Sequence, residues 1–222
     1  MINIALDGPS GAGKSTIAKA IASKLGYVYV DTGALYRSIG LYIYRKNKNP
    51  KSADDVVPEL PNIKLELKYQ DSVQHVFLNG EDVSELIRQD HISMYASDVS
   101  AIPAVREFLL DTQRSIAKEN NTIMDGRDIG TVILPNAQVK VFLTATDEVR
   151  ANRRYNQLLE KNMPCNYEDI LKDIKLRDSN DKNRTTAPAI PADDAIIFDN
   201  SDMTLEESVA FIIDIIEKKT NK

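Results

Sequence analysis

The segment Gly8-Pro9-Ser10-Gly11-Ala12-Gly13-Lys14-Ser15 has the residue types and spacing of a phosphate cradle: a glycine, four residues, then Gly-Lys-Ser. Backbone N–H groups in such a loop converge on phosphate oxygens, which requires conformations that glycine reaches cheaply. The helix that follows adds the positive end of its dipole. Lys14 has the reach for the β- and γ-phosphates of a nucleoside triphosphate, and the Ser15 hydroxyl suits Mg²⁺. The expected triphosphate-binding set is Gly8, Pro9, Ser10, Gly11, Ala12, Gly13, Lys14, Ser15 and Thr16.

A second kind of chemistry is written in arginines. Arg37 follows Asp31-Thr32-Gly33, and Arg127 stands in Asp125-Gly126-Arg127-Asp128, directly after an apolar run. Arg150, Arg153 and Arg154 recur at i, i+3 and i+4, and Arg177, Asp181 and Arg184 at i, i+4 and i+7, each set on one helix face. A lone arginine is ordinarily a solvated surface charge. A set of them suits phosphoryl transfer, in which donor, acceptor and the moving group are all anionic. Asp125, at the end of a strand-like run, fits a Walker-B-type partner of a Mg²⁺-bound water. These features admit a switch GTPase, a motor ATPase or a small-molecule kinase. The Asn-Lys-x-Asp segment typical of guanine readers is absent, and 222 residues is short for a motor.

The elements that must position these groups follow from hydropathy patterning. Ile2–Leu6 is an apolar run of buried-strand type that leads into the loop, and Lys14–Leu25 is an amphipathic helix stopped by Gly26. Further strands are expected at Tyr27–Val30, Thr122–Asp125, Val139–Leu143 and Ala195–Phe198. Helices are expected at Gly33–Arg45, Ile92–Ser100, Pro103–Glu119, Asp147–Lys161, Tyr167–Asn180 and Leu205–Lys218. The polar, proline-containing stretch Asn47–Asn62 reads as a connector. Ile63–Tyr69 and Val73–Leu78 alternate apolar and polar residues, with turn signals at Asp71-Ser72 and Asn79-Gly80, as in a small antiparallel lobe. Strands alternating with helices elsewhere imply an α/β fold: a five-stranded parallel sheet covered on both faces.

Composition narrows the classes. A formal net charge of -5 argues against broad nucleic-acid binding while leaving room for local basic pockets. One cysteine, Cys165, excludes an intrachain disulfide, and two histidines, His75 and His91, make no zinc pattern. The N-terminus lacks a secretory pattern, and no apolar run approaches the roughly 20 residues of a membrane span, so a cytoplasmic protein is expected, with no membrane partner. No heptad pattern argues for a coiled coil, and a monomer is expected.

With these segments in view, the chain resembles the bacterial cytidylate kinases. The resemblance is carried by Asp7–Ser15, by Asp31-Thr32-Gly33-Ala34-Leu35-Tyr36-Arg37, by Asp125-Gly126-Arg127-Asp128-Ile129-Gly130-Thr131-Val132, and by Arg177-Asp178-Ser179-Asn180-Asp181 through Arg184 and Ala187-Pro188. It implies a P-loop kinase of nucleoside monophosphates that passes a phosphoryl group from ATP, with Mg²⁺, to CMP or dCMP. It implies a core at residues 1–30 and 100–222, a monophosphate-binding region at 31–99 with an inserted β lobe at about 62–88, and a short lid at 153–165. By the same resemblance Arg37, Arg127 and Arg184, with Thr32 nearby, grip the acceptor phosphate, Ser97, Arg106 and Asp128 read the cytosine, and Asp181 meets the ribose. Lys14, Asp125, Arg154 and Arg177 then serve the transfer itself. Thr32 stands where relatives often carry serine, and Ser179 and Lys182 where they often carry arginine.

Overall fold

The computed structural model describes residues 1–70 and 73–220. The turn expected at Asp71-Ser72 lies outside them. Five strands form one parallel sheet in the order β2-β6-β1-β7-β8, where β1 is Asn3–Asp7, β2 Val28–Asp31, β6 Thr122–Gly126, β7 Val139–Thr144 and β8 Ile196–Asp199. The two-residue period of the strands sorts their side chains to opposite faces. Ile4 and Leu6 of β1 join Ile123, Val141 and Leu143 on the face covered by α1 (Lys14–Leu25) and α8 (Leu205–Thr220), which contribute Ile17, Ile21, Val209 and Ile212. Ala5, Val30 and Met124 face the other way, onto Ile129, Ile133 and Ala117. Both faces are buried, which accounts for strands that read as continuous apolar runs.

α1 has the boundaries its pattern implies, and Gly26 closes it in a left-handed conformation by donating its N–H to the Ala22 carbonyl. α2 (Thr32–Arg45) starts one residue before expectation because the Asp31 carboxylate accepts from the Ala34 N–H and caps it. α4 is Asp90–Val99 and α5 Pro103–Glu119, with Pro103 in the first turn. α6 is Asp147–Glu160; α7 runs Tyr167–Asn183, three residues past expectation, and so carries Asp181 within the helix.

The stretch 47–62 is more ordered than a connector. Ser52 caps a short helix α3 (Ala53–Val56), a 3₁₀ segment continues to Asn62, and Val56 and Leu60 are buried. Two apolar residues in a polar, proline-bearing run carry too weak a period to announce this. The lobe is a three-stranded antiparallel sheet of β3 (Leu65–Gln70), β4 (Val73–Leu78) and β5 (Glu81–Asp82). Its Val76, Leu78 and Val83 pack with Leu35 and Ile39 of α2, Ile92 of α4 and Leu109 of α5 in a second core. A third, smaller cluster joins Ala151 and Leu158 of α6 to Ile170 and Ile174 of α7, giving this helical hairpin its own packing.

Leu109 is 1% exposed within the second core. Truncating it to alanine removes buried methyl groups and leaves a cavity, at a cost of about 3 kcal/mol. Leu109→Ala should lower the thermal midpoint by about 6–12 °C, given about 2–4 °C per kcal/mol at this chain length. A drop of less than about 2 °C in a melting scan would contradict the packing described.

Candidate functional site

Parallel pairing aligns the carboxyl ends of three strands. Asp7 of β1 lies beside Gly126 of β6, and Asp31 of β2 beside Asp125 of β6, so Asp7, Asp31 and Asp125 share one edge of the sheet. This is the edge at which open α/β sheets bind ligands. All three carboxylates are buried, each only 5% exposed. Burial, then the neighbouring Asp31 charge, pushes the Asp125 carboxyl above its usual range. For Asp31 the penalty of burial is outweighed by Arg37 and Arg88, and its pKa falls.

The phosphate loop leaves β1 at Gly8, where φ is 146° and an added Cβ would come within 1.9 Å of the Leu143 carbonyl oxygen. A residue with a side chain cannot occupy that position without moving β7. The loop is held from behind by Arg150, which is 3% exposed. Its guanidinium donates to the Ala145 and Ser10 carbonyls at 3.0 and 2.8 Å and pairs with Asp147 and Asp178. Arg153 donates to the carbonyls of Ala12 and Asn200 at 3.4 and 2.9 Å. These two arginines therefore brace the loop's backbone. Arg150 and Arg153 thus differ from the set's expected use around a moving phosphoryl group, since Arg150 is held by two carboxylates and two carbonyls and Arg153 by carbonyls and the Asn200 side chain. Arg154 donates to Gln157 of its own helix at 2.8 Å.

Inside the loop, the Lys14 ammonium donates to the Pro9 carbonyl at 2.7 Å. The Ser15 hydroxyl donates to Asp125 Oδ2 at 2.8 Å, and Tyr29 Oη donates to Oδ1 of the same carboxylate at 2.8 Å. Thr32, 2% exposed, donates its hydroxyl to the Asp125 carbonyl at 2.8 Å. That hydroxyl is committed to main chain, so Thr32 acts first as a tie between α2 and β6. Thr16 is exposed on the first turn of α1.

A cluster of arginines and aspartates is assembled by α7. Asn166 caps its start by accepting from the Glu168 and Asp169 N–H groups, which fixes the helix phase. Ile170 and Ile174 face the core, and the same stripe continues as Arg177, Asp178, Asp181 and Arg184. Arg127 Nε donates to Asp181 Oδ2 at 2.8 Å. Arg106 pairs with Asp128 Oδ2, donates to the Ser100 carbonyl at 3.1 Å, and lies 5.4 Å from the centre of the Tyr36 ring. Arg184 Nη1 donates to Ser100 Oγ at 3.3 Å, and its Nη2 stands 3.6 Å from Asp128 Oδ1. Ser97 is half-buried and lines a cavity of about 350 Å³ with Asp98, Lys51, Asn180, Asp181 and Arg184. Arg37 donates to Asp31 Oδ2 at 2.8 Å. The lobe reaches the same carboxylate end, where Gln74 Oε1 accepts from the Asp31 N–H at 2.9 Å and Arg88 stands 3.8 Å from Asp31 Oδ2.

Among the described residues, five buried side-chain polar atoms have no hydrogen-bond partner, and three are guanidinium nitrogens: Arg37 Nε, Arg177 Nε and Arg184 Nη2. Buried donors are normally satisfied. Three unsatisfied cationic donors in one region are what an anion-binding cavity presents. Asp31, Ser100, Asp178 and Gln74 were not singled out as functional from sequence. Asp31 and Asp178 lie inside the quoted motifs and were open to that reading; Ser100 and Gln74 carry no signal short of the folded contact.

Burial, then the nearby Arg127 and Arg177 charges, push the Lys14 ammonium down to about 7. The ligand-free fold thus binds fewer protons than the unfolded chain between about pH 7 and the ordinary lysine value of 10.5, so its stability rises with pH through that window. A triphosphate against Lys14 restores the charged form. Binding of a nucleoside triphosphate at pH 8 should take up close to one proton, read from the dependence of calorimetric enthalpy on buffer ionisation. A buffer-independent enthalpy would contradict this.

Comparison with known proteins follows the geometry. Residues 4–218 match the family model for cytidylate kinase. The chain is 49% identical over 217 residues to a cytidylate kinase of Caldicellulosiruptor bescii, covering 98% of this chain and 96% of that one. It is 45% identical to a cytidylate kinase of Fusobacterium nucleatum, covering 98% of each. An uncharacterized protein from Eubacterium ventriosum shares the fold at a TM-score of 0.56 and 11% identity, over 98% of this chain and 99% of that one. No helix among the described residues is long and apolar enough to cross a membrane. A family-model match over residues 4–218 and 49% identity over nearly the whole length make this chain, with its P-loop and buried arginines, an enzyme of the cytidylate kinase family.

Proposed function

We propose that this protein transfers the γ-phosphoryl group of ATP to CMP or dCMP, giving ADP and the corresponding diphosphate. The observation that carries the reading is the set of guanidinium nitrogens without hydrogen-bond partners on Arg37, Arg177 and Arg184; Arg177 interacts with both Lys14 and Arg37, and Arg184 stands 3.8 Å from Asp181. A phosphate monoester is the ligand whose charge and acceptor oxygens match them.

The acceptor oxygen is an ionised phosphate, so no general base is needed, and catalysis rests on positioning and charge. Arg37, Arg127 and Arg184 hold the acceptor phosphate. Lys14 leaves the Pro9 carbonyl for the β- and γ-phosphates, and Arg177, buried beside Ser10 and pushed down to about 10 by burial and then by Arg127, borders the transfer path. The main-chain N–H groups from Ser10 to Thr16 receive the donor. The hydroxyl of Ser15 and the carboxylate of Asp125 are hard oxygen donors that fit Mg²⁺, with waters and phosphates completing the shell. Mg²⁺ bound there supplies charge neutralisation on the phosphate oxygens. Asp128 accepts from the cytosine amino group, and Arg106 and Ser97 donate to its ring acceptors, while Asp181 meets the ribose. Closure of the α6–α7 hairpin over residues 153–165 brings Arg154 inward, and the lobe closes from the other side on the acceptor, excluding water.

A coupled ADP-release assay with CMP, dCMP, UMP, AMP and shikimate should rank CMP and dCMP first. Another acceptor at the head of that ranking would overturn the cytosine reading. Lys14→Ala should lower turnover by at least about 10²–10³-fold, the usual effect of removing one preorganised charge-stabilising donor. Turnover within tenfold of the wild type would refute the donor assignment.

A further inference from the structure

The carboxylate of Asp7 has no part in the reaction as derived above, yet it is among the most enclosed charges in the molecule. It accepts two hydrogen bonds from consecutive peptides: the Ile129 N–H donates to Oδ1 and the Gly130 N–H to Oδ2, both at 2.8 Å. These N–H groups open a single wide turn, Ile129–Ile133, in which the Leu134 N–H closes back onto the Ile129 carbonyl. The Asp128 carbonyl accepts from the Val132 and Ile133 N–H groups of the same turn. The far end is held by Arg114 of α5, which donates to the Val132 and Ile133 carbonyls at 3.0 Å each. Gly130 is needed for the close approach, since an added Cβ would lie 3.1 Å from the Lys140 stem and 3.4 Å from Asp7 Oδ2.

Two facts make this contact more than the satisfaction of a buried turn. The peptide whose N–H meets Asp7 Oδ1 is the one that joins Asp128 to Ile129, so the carboxylate grips the main chain of Asp128 itself. Asp7 is also the residue immediately before Gly8, and its main chain is fixed in the sheet between Gly126 and Phe142. The phosphate loop and the Asp128 peptide therefore hang from one residue. The main chain offers a second, looser route, since Gly126 pairs with Asp7 in the sheet and Arg127 alone separates it from Asp128.

We propose that Asp7 is a positioning residue that fixes Asp128, and through it Arg106 and Arg184, at a set place relative to the phosphate loop, and so controls how well the acceptor base is held and distinguished. The role rests on the acceptor reading given above. Asparagine at position 7 keeps one carbonyl acceptor and turns an NH₂ group toward the second peptide N–H, so one of the two bonds becomes a repulsion. The Asp128 peptide then loses its fixed orientation. The main chain of residue 7, and with it the loop, stays anchored by the sheet.

Steady-state kinetics of the Asp7→Asn enzyme test this. The KM for CMP should rise about tenfold and the preference for CMP over UMP should fall by a similar factor, with the KM for ATP within about threefold of the wild type, the loss being confined to one oriented contact. A purely structural role predicts a lower melting temperature and fewer active molecules, with both KM values and the preference unchanged; that result would overturn the proposal. An equal rise in both KM values would overturn it as well, because the clamp would then serve the loop. KM is independent of the fraction folded, so partial misfolding does not mask the outcome. Asp7→Glu keeps the charge but displaces the grip by one methylene, and should shift the KM for CMP in the same direction if Asp7→Asn yields no soluble enzyme. Should the wild type favour another acceptor, the functional reading falls, while the same comparison made on that acceptor still decides the role of Asp7.

Discussion

A guanidinium withdrawn from water must face an anion or leave its donors unused, and the site is built around that constraint. Arg37, Arg106, Arg127, Arg177 and Arg184 gather at one end of the sheet, all buried or nearly so, and the carboxylates set among them are Asp31, Asp128 and Asp181. Asp7 and Asp125 stand at the same edge, beside Lys14. Burial and then neighbouring cations push Lys14 and Arg177 toward lower pKa, and among the described residues three buried guanidinium nitrogens have no hydrogen-bond partner. A resting enzyme with these features is held in a state that anionic ligands relieve. Each aspartate also orients an arginine, which reduces the ordering cost when ligand arrives.

The scaffold meets this constraint by placing charge only where main chain is already fixed. Three strand ends supply Asp31 and Asp125 in register and Asp7 one position further along, and the core on both faces of the sheet keeps them there. Helix α7 supplies Arg177, Asp178, Asp181 and Arg184 as the polar continuation of an apolar stripe anchored by Ile170 and Ile174. Arg150 and Arg153 spend their charge on the carbonyls behind the phosphate loop. The result is a division of labour among arginines that look alike in sequence: Arg150 and Arg153 hold the loop, while Arg106, Arg127 and Arg184 pair with Asp128 and Asp181.

What could be read before folding divides along the same physical line. Features set by local rules were legible. The glycine spacing of Gly8–Ser15, the apolar strands, the helix stop at Gly26 and the start of α5 at Pro103 each depend on residues near one another in the chain. The alternating pattern of the lobe strands was equally plain. Features set by distant contacts were not. The Asn47–Asn62 stretch looked like a connector because its order comes from burying Val56 and Leu60 against other elements. Arg150 was grouped with a set of arginines suited to phosphoryl transfer, and nothing near it in sequence names the Ser10 carbonyl, 140 residues away, as an acceptor. Thr32 was expected near the acceptor phosphate, and no local signal announced that its hydroxyl donates to the Asp125 carbonyl across 93 positions. Asp7 stood in plain view within a motif, but its partners lie at residues 129 and 130.

The proposed reaction requires the phosphate loop and the arginine cluster around Arg127, Arg177 and Arg184 to be two walls of one space, across which a phosphoryl group passes in line. The most direct measurement is the binding of a bisubstrate analogue, adenosine and cytidine joined through five phosphates, by titration calorimetry. One site of that kind predicts a single molecule bound per chain, tighter than ATP or CMP alone, with CMP no longer able to bind beside it. An analogue that binds no more tightly than ATP, and leaves the CMP site open to titration, would show that the two walls do not face each other.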